Sequence, residues 1–279
     1  MSMIIKELQD MRYLEWSRIR HSSGTAGTFL KAYDDSGRKK IYYKLSDFDS
    51  IKGVLGHECV NELIVDRMLE IMEIPHLEYT LINALVVIDN KEYKTYLCAS
   101  EDYKEPDESK LALEDYYQME SLPNESSFDF CVRKGWRRQV SEMIVTDYLI
   151  CNRDRHGANI EVLRNRKNNS FRLAPMFDQG LSFLCRCRTD EEIERFDVTE
   201  DRRVQTFFGG SSVQDNLRLL EPEDIKNIRS LKKRDRKAIF DGLEEVCSGK
   251  LLAKIWDMMW MRNSYLDSMP TGGSWDNTD

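Results

Sequence analysis

The chain has 279 residues, 41% apolar and 32% charged, the balance of a folded rather than a disordered protein. Lysine and arginine number 41 against 49 aspartate and glutamate, and the net charge of −8 disfavours direct binding to nucleic acid or to an anionic membrane surface. No run approaches the ~18 consecutive apolar residues that would span a bilayer, and acidic residues follow the first apolar ones too soon for an export signal, so a cytoplasmic location is expected.

Taken in chain order, residues 13–46 read as strands. An alternating run at 13–19 is followed by a turn-prone stretch, Ser22-Ser23-Gly24-Thr25-Ala26-Gly27, then by strands at 28–34 and 40–46 around the hairpin signal Asp34-Asp35-Ser36-Gly37. Residues 57–73 turn helical, with Val60, Leu63, Ile64, Met68, Leu69 and Met72 on one face and Pro75 as a stop. Strands are predicted at 77–82, 84–90 and 93–100, with Asp89-Asn90 as a turn. Residues 101–127 are acidic and polar and read as a solvated loop with a short helix joining two lobes. A helix is expected over 133–151, then short strands at 159–163 and 171–174. An irregular stretch follows Asp178 to about residue 212, and helix then runs to about 267. Glu221-Pro222-Glu223-Asp224 has the form of a helix start. Trp256 and Trp260 read as core packing. The seven cysteines are scattered and fit reduced thiols; Cys185-Arg186-Cys187 lacks the second pair that a structural zinc site needs.

The polar motif with most chemical content is Asn152-Arg153-Asp154-Arg155-His156-Gly157-Ala158-Asn159, followed by Asp178-Gln179-Gly180. Phosphoryl transfer needs a carboxylate to take the incoming hydroxyl's proton, ligands for a metal that neutralises phosphate charge, and a lysine on the phosphates. Asp154 and Asn159 stand five residues apart, the interval between base and metal-binding Asn in protein-kinase catalytic loops. A hairpin over 161–177 would return Asp178 to Asn159, and Gly180 leaves the backbone free to turn beside it. Asp154 is therefore read as general base, and Asn159 and Asp178 as metal ligands. Lys44, in an apolar strand, is read as the phosphate lysine oriented by Glu62; Lys31 and Lys40 compete for that place. Ser23, Gly24, Thr25 and Gly27 could form a phosphate lid, or a plain hairpin turn. The connector at 97–101, with Cys98 and Ser100, is where adenine should meet backbone groups.

In this loop His156 follows the base instead of preceding it. That order, with Asn152 two residues before the base, resembles the HipA-like serine/threonine kinases, whose loop reads Asp-Arg-His-x-x-Asn. Asn61-Glu62, Ser23-Gly24 and the segment 207–217 extend the resemblance over roughly residues 13–265. It implies a two-lobed α+β kinase-like fold in a short form lacking the family's extra N-terminal domain. It also implies ATP and Mg²⁺ as ligands and a Ser or Thr hydroxyl of a protein as acceptor. Asn152 and His156 would brace the loop. A partner antitoxin and self-phosphorylation within 22–28 also follow from the resemblance. The division expected is a strand-rich lobe at 1–100, a helical lobe at 101–270 and a disordered tail at 271–279. Two alternatives stay open: a small-molecule or lipid kinase with the same site, and a catalytically silent nucleotide-binding module.

Overall fold

A computed structural model describes residues 3–19 and 26–269. In chain order, β1 (Ile4–Asp10), β2 (Ser17–Ile19), β3 (Ala26–Asp34) and β4 (Ile41–Leu45) precede a small ladder of β5 (Phe48–Asp49) and β6 (Gly53–Val54), then helix α1 (Glu58–Met72). β7 (Thr80–Ile88) and β8 (Lys91–Glu101) complete a six-stranded sheet of order β1-β7-β8-β4-β3-β2, with β1 parallel to β7 and the other pairs antiparallel.

The register of this sheet places the site. Lys44 on β4 lies between Lys31 on β3 and Cys98 on β8, so all three share one face. The alternate residues Ala32, Tyr43, Leu45, Leu97 and Ala99 point the other way, into an apolar cluster with Met11, Ile82 and Val86. Asp89 and Asn90 turn β7 into β8 with positive φ of 50° and 61°, as a tight hairpin requires.

The second half is mainly helical. β9 (Glu108–Ala112), α2 (Leu113–Glu120), α3 (Ser127–Arg133) and α4 (Arg137–Ile150) lead to β10 (Asp154–Arg155). β11 (Glu161–Asn165) and β12 (Phe171–Leu173) form a hairpin that β9 joins, in the order β12-β11-β9. Then come α5 (Asp190–Arg195), β13 (Gln205–Thr206), which pairs with β10, α6 (Pro222–Lys226), α7 (Asp235–Phe240) and α8 (Gly249–Ser268). Trp256 and Trp260 stack at 5.7 Å on α8.

α1 joins the two halves. Leu63, Ile64, Val65 and Met68 are fully buried and belong to the same apolar cluster as Leu81 of β7, Leu149 of α4 and Ile255 of α8. The helix ends at Glu73, whose left-handed φ of 61° returns its N–H to the carbonyls of Leu69 and Glu70.

The structure corrects several sequence expectations. β1 was not foreseen, and Tyr13–Trp16, expected in a strand, is not one. The runs at 77–82 and 84–90 form one strand, β7. The acidic stretch 101–127 is not a loop with one short helix; it carries β9 and α2, because β9 gains its partner only when β11 returns to it. The stretch after Asp178 contains α5, held by a Thr189–Glu192 capping box, and the terminal helical region breaks into three helices. Gly27 lies within β3 rather than in a turn. Ser22, Ser23, Gly24, Thr25 and the tail at 271–279 lie outside the described residues.

Candidate active site

Lys44 sits where β4 faces the start of α1. Its side chain is only 10% exposed, and its Nζ lies 2.8 Å from Glu62 Oε1 and 2.5 Å from Asp178 Oδ1. Burial by itself would depress this ammonium's pKa. The Asp178 and Glu62 carboxylates outweigh that and hold it well above its ordinary value, so Lys44 is charged. Lys31, across the β3–β4 ladder, stands 3.9 Å from Asp178 Oδ2, close enough to meet the same ligand but not in the centre of the cluster. Lys40 lies over the ring of Tyr33 instead.

Two successive residues of α1 grip the Asp178-Gln179-Gly180 turn. Glu62 Oε2 accepts the Gln179 N–H at 2.8 Å, and Asn61 Nδ2 donates to the carbonyls of Gly180 and Ser182 at 2.9 and 3.2 Å. Asp178 has φ of 60°, which turns its carboxylate toward Lys44. A Cβ at position 180 would come within 3.1 Å of Glu58 Cβ and 3.2 Å of Glu62 Oε1, so glycine permits this close approach.

The loop after α4 is held by its own amides. Asn152 Oδ1 accepts the Asp154 N–H at 3.1 Å, while its Nδ2 donates to Asp147 Oδ1 at 2.9 Å. Asn159 Nδ2 donates to the Asp154 carbonyl at 2.8 Å and to Asp154 Oδ2 at 3.3 Å. His156 Nε2 lies 3.6 Å from Asp154 Oδ1. Asp154 therefore carries a partly exposed carboxylate flanked by Asn159 and His156, on a backbone that Asn152 holds.

Sequence reasoning gave no role to Arg155, Asp147 or Gln179, yet they connect the two motifs. Arg155 is fully buried; its guanidinium binds both Asp147 oxygens, the Phe177 carbonyl at 3.0 Å and Gln179 Oε1. The signal was present: Asp147 is a charge inside an otherwise apolar helix face, and such a residue requires a buried partner.

A cleft of about 280 Å³ runs beneath the sheet, lined by Lys44 and Asp178 together with Cys98, Ser100, Tyr103 and Phe177. Among the described residues no group of three or more His, Cys, Asp or Glu side chains could hold a metal ion. The oxygen donors Asp178 and Asn159 fit Mg²⁺, which keeps much of its shell for water and phosphate. No described helix is long and apolar enough to cross a membrane.

A strand-rich part, a helical part and a cleft holding a buried lysine, its α1 glutamate and an Asp-x-Gly turn define the two-lobed kinase-like fold. The fold is similar to that of the Helicobacter pylori proinflammatory kinase CtkA, at 14% sequence identity over 94% of this chain and 96% of that one, with a TM-score of 0.59. A HipA chain from the Shewanella oneidensis MR-1 HipA–HipB–operator DNA complex is a more distant neighbour, at 12% identity and a TM-score of 0.42; the match covers 90% of this chain and 60% of the HipA chain. No family model and no curated protein matches the sequence.

Proposed function

We propose that this chain is an ATP-dependent phosphotransferase, most like the HipA-like kinases, that moves the γ-phosphate to a Ser or Thr hydroxyl of a protein. The observation that carries this reading is the Lys44–Glu62–Asp178 cluster in a cleft whose catalytic-loop sequence matches a kinase base and metal ligand. Asp154 takes the proton of the acceptor hydroxyl. The hydroxyl oxygen bonds to the γ-phosphorus as the bond to the β–γ bridging oxygen breaks, and ADP leaves with that electron pair. Lys44 holds phosphate oxygens, and Glu62 keeps the ammonium in line. Asn152 and His156 steady Asp154, and adenine lies along the connector by Cys98 and Ser100. Asp178 and Asn159 would hold Mg²⁺, which when bound neutralises charge on the phosphates. We place the lobes at 1–100 and 101–270 and the protein in the cytoplasm. On the resemblance we add a partner antitoxin and self-phosphorylation at Ser22 or Ser23, with Thr25 and Thr28 next.

The test is incubation with γ-labelled ATP, with and without Mg²⁺, followed by intact-mass measurement and by transfer to Ser/Thr peptides. Mg²⁺-dependent transfer by the wild type that is lost in Asp154→Asn supports the reading. ATP binding without transfer points to the silent module, and equal labelling of Asp154→Asn removes Asp154 as the base.

A further inference from the structure

The same cleft holds a second set of polar side chains that phosphoryl transfer does not use. Tyr103 Oη donates to Glu161 Oε2 at 2.5 Å. Lys110 Nζ lies 3.1 Å from Asp102 Oδ1 and 3.9 Å from Glu161 Oε2, and 4.0 Å from the centre of the Tyr103 ring. Tyr103 stacks on Phe177, the residue before Asp178, with ring centres 5.8 Å apart and planes at 26°. The β9–β11 register explains the meeting: Lys110 pairs with Leu163 and Ala112 with Glu161, so Lys110 and Glu161 are diagonal neighbours on one face. Glu161 is two residues past Asn159, so this group is tied by backbone to both motifs of the site.

Such a group could serve only to fasten β9 to β11. Three features favour a ligand. Lys110, Tyr103 and Glu161 all line the cleft rather than the outer surface. Lys110, Asp102 and Glu161 side chains keep 15–18% of their exposure, so they are shielded but reachable. Among the described residues no donor meets Glu161 Oε1; Tyr103 and Lys110 both address Oε2. Burial and the neighbouring Glu161 carboxylate keep the Tyr103 hydroxyl protonated, so it remains a donor that holds the carboxylate in one orientation.

A carboxylate only accepts and an ammonium only donates. A vicinal diol satisfies both at once, because each hydroxyl donates one hydrogen and accepts another. We propose that Glu161 and Lys110 recognise the ribose hydroxyls of the nucleotide, one hydroxyl donating to Glu161 Oε1 and its neighbour accepting from Lys110 Nζ. The pair confers specificity for ribonucleotides and touches no reacting atom. This inference rests on the cleft being the nucleotide site.

The test is calorimetric binding of ATP, 2′-deoxy-ATP, 3′-deoxy-ATP and GTP to the full chain with Mg²⁺, for the wild type and for Glu161→Leu. The wild type should bind ATP roughly tenfold more tightly than either deoxy form, as expected for one lost hydrogen bond to a charged group. Glu161→Leu should bind ATP and one deoxy form alike, the one lacking the hydroxyl that Glu161 accepts from, while the other deoxy form keeps the penalty set by Lys110. Glu161→Gln, which keeps an acceptor for Tyr103, replaces it if the Leu variant does not fold, and should retain only part of the preference. Equal wild-type affinity for ATP and both deoxy forms overturns the ribose assignment while leaving the nucleotide site intact. A substitution that alters the ATP-to-GTP ratio but not the deoxy ratio also overturns it, in favour of base recognition. No binding of any nucleotide removes the nucleotide reading and this inference together.

Discussion

The Lys44 ammonium neutralises two carboxylates, one of them fully buried, and Lys44 therefore bears on stability as well as on phosphate. On the sequence alone, Lys44→Met is expected to weaken transfer and leave the melting temperature largely unchanged, because methionine keeps the strand's bulk and removes only the charge. With Glu62 fully buried behind it, the substitution should instead cost roughly 3–5 kcal/mol as well as transfer activity. Urea unfolding of the variant decides between the two. Asp178→Asn should behave differently: the amide oxygen still accepts from Lys44, so the fold persists while Mg²⁺-dependent transfer disappears. A folded Asp178→Asn protein with near-normal turnover would remove Asp178 from the site. His57, the residue before α1, provides a pH test. Burial, helped by Arg188, lowers its pKa from 6.5 to about 4. Between these values the unfolded chain takes up a proton that the folded chain refuses. Stability is therefore full above about pH 6.5 and declines towards pH 4, by roughly 3 kcal/mol from this residue. His57→Gln should flatten that part of the stability–pH curve, and an unchanged slope would show that His57 is protonated in the folded state.

At the scale of elements, α1 and α4 each lend buried polar residues to a turn they do not contain. Arg155 is the link between α4 and the Asp178 turn, through Asp147 and Gln179. Arg155→Met should lower kcat far more than it raises the KM for ATP, because it loosens Asp178 without removing Lys44. Arg155→Lys should recover stability but little of the rate, since one ammonium cannot replace a planar fork. Equal effects on kcat and KM would mean that the guanidinium is only a structural brace. The same elements show what a sequence can reveal. α1 was readable because its apolar spacing persists for four turns and Pro75 closes it. The β11–β12 hairpin was readable from its Asn-rich turn. β1 was not, because its partner β7 lies some seventy residues away and Ile4 and Ile5 are its only β-branched residues. β9 was hidden for a related reason: acidic composition suggests solvation, but Glu108 is neutralised by Arg172 on β12, at 2.7 Å. In the site, spacing pointed to Asp154, Asn159 and Asp178. The Tyr103–Glu161–Lys110 group depends on the register between β9 and β11, which no local pattern encodes, whereas the Arg155 network left one local sign, the charge of Asp147 in an apolar helix face.

Across the whole molecule, one apolar cluster runs from the sheet through α1 into α4 and α8. Two lobes joined in this way should not melt separately. Urea titrations followed by far-UV circular dichroism and by tryptophan fluorescence should coincide, and Leu63→Ala, at a fully buried position, should shift both by roughly 3 kcal/mol. Two separated transitions would show that α1 belongs to one lobe only.

The contact between Lys44 and Asp178 also dictates an order of events. A carboxylate oxygen already 2.5 Å from an ammonium has little to offer a second cation. A divalent ion arriving alone must evict a charge of its own sign from a partly dry cleft. A triphosphate removes that obstacle, because it draws the ammonium to itself and frees the oxygen for the ion it brings. On the proposed reading, metal and nucleotide enter as a single complex, and a magnesium titration of the bare protein should show weak, poorly saturating binding that sharpens once ATP is added.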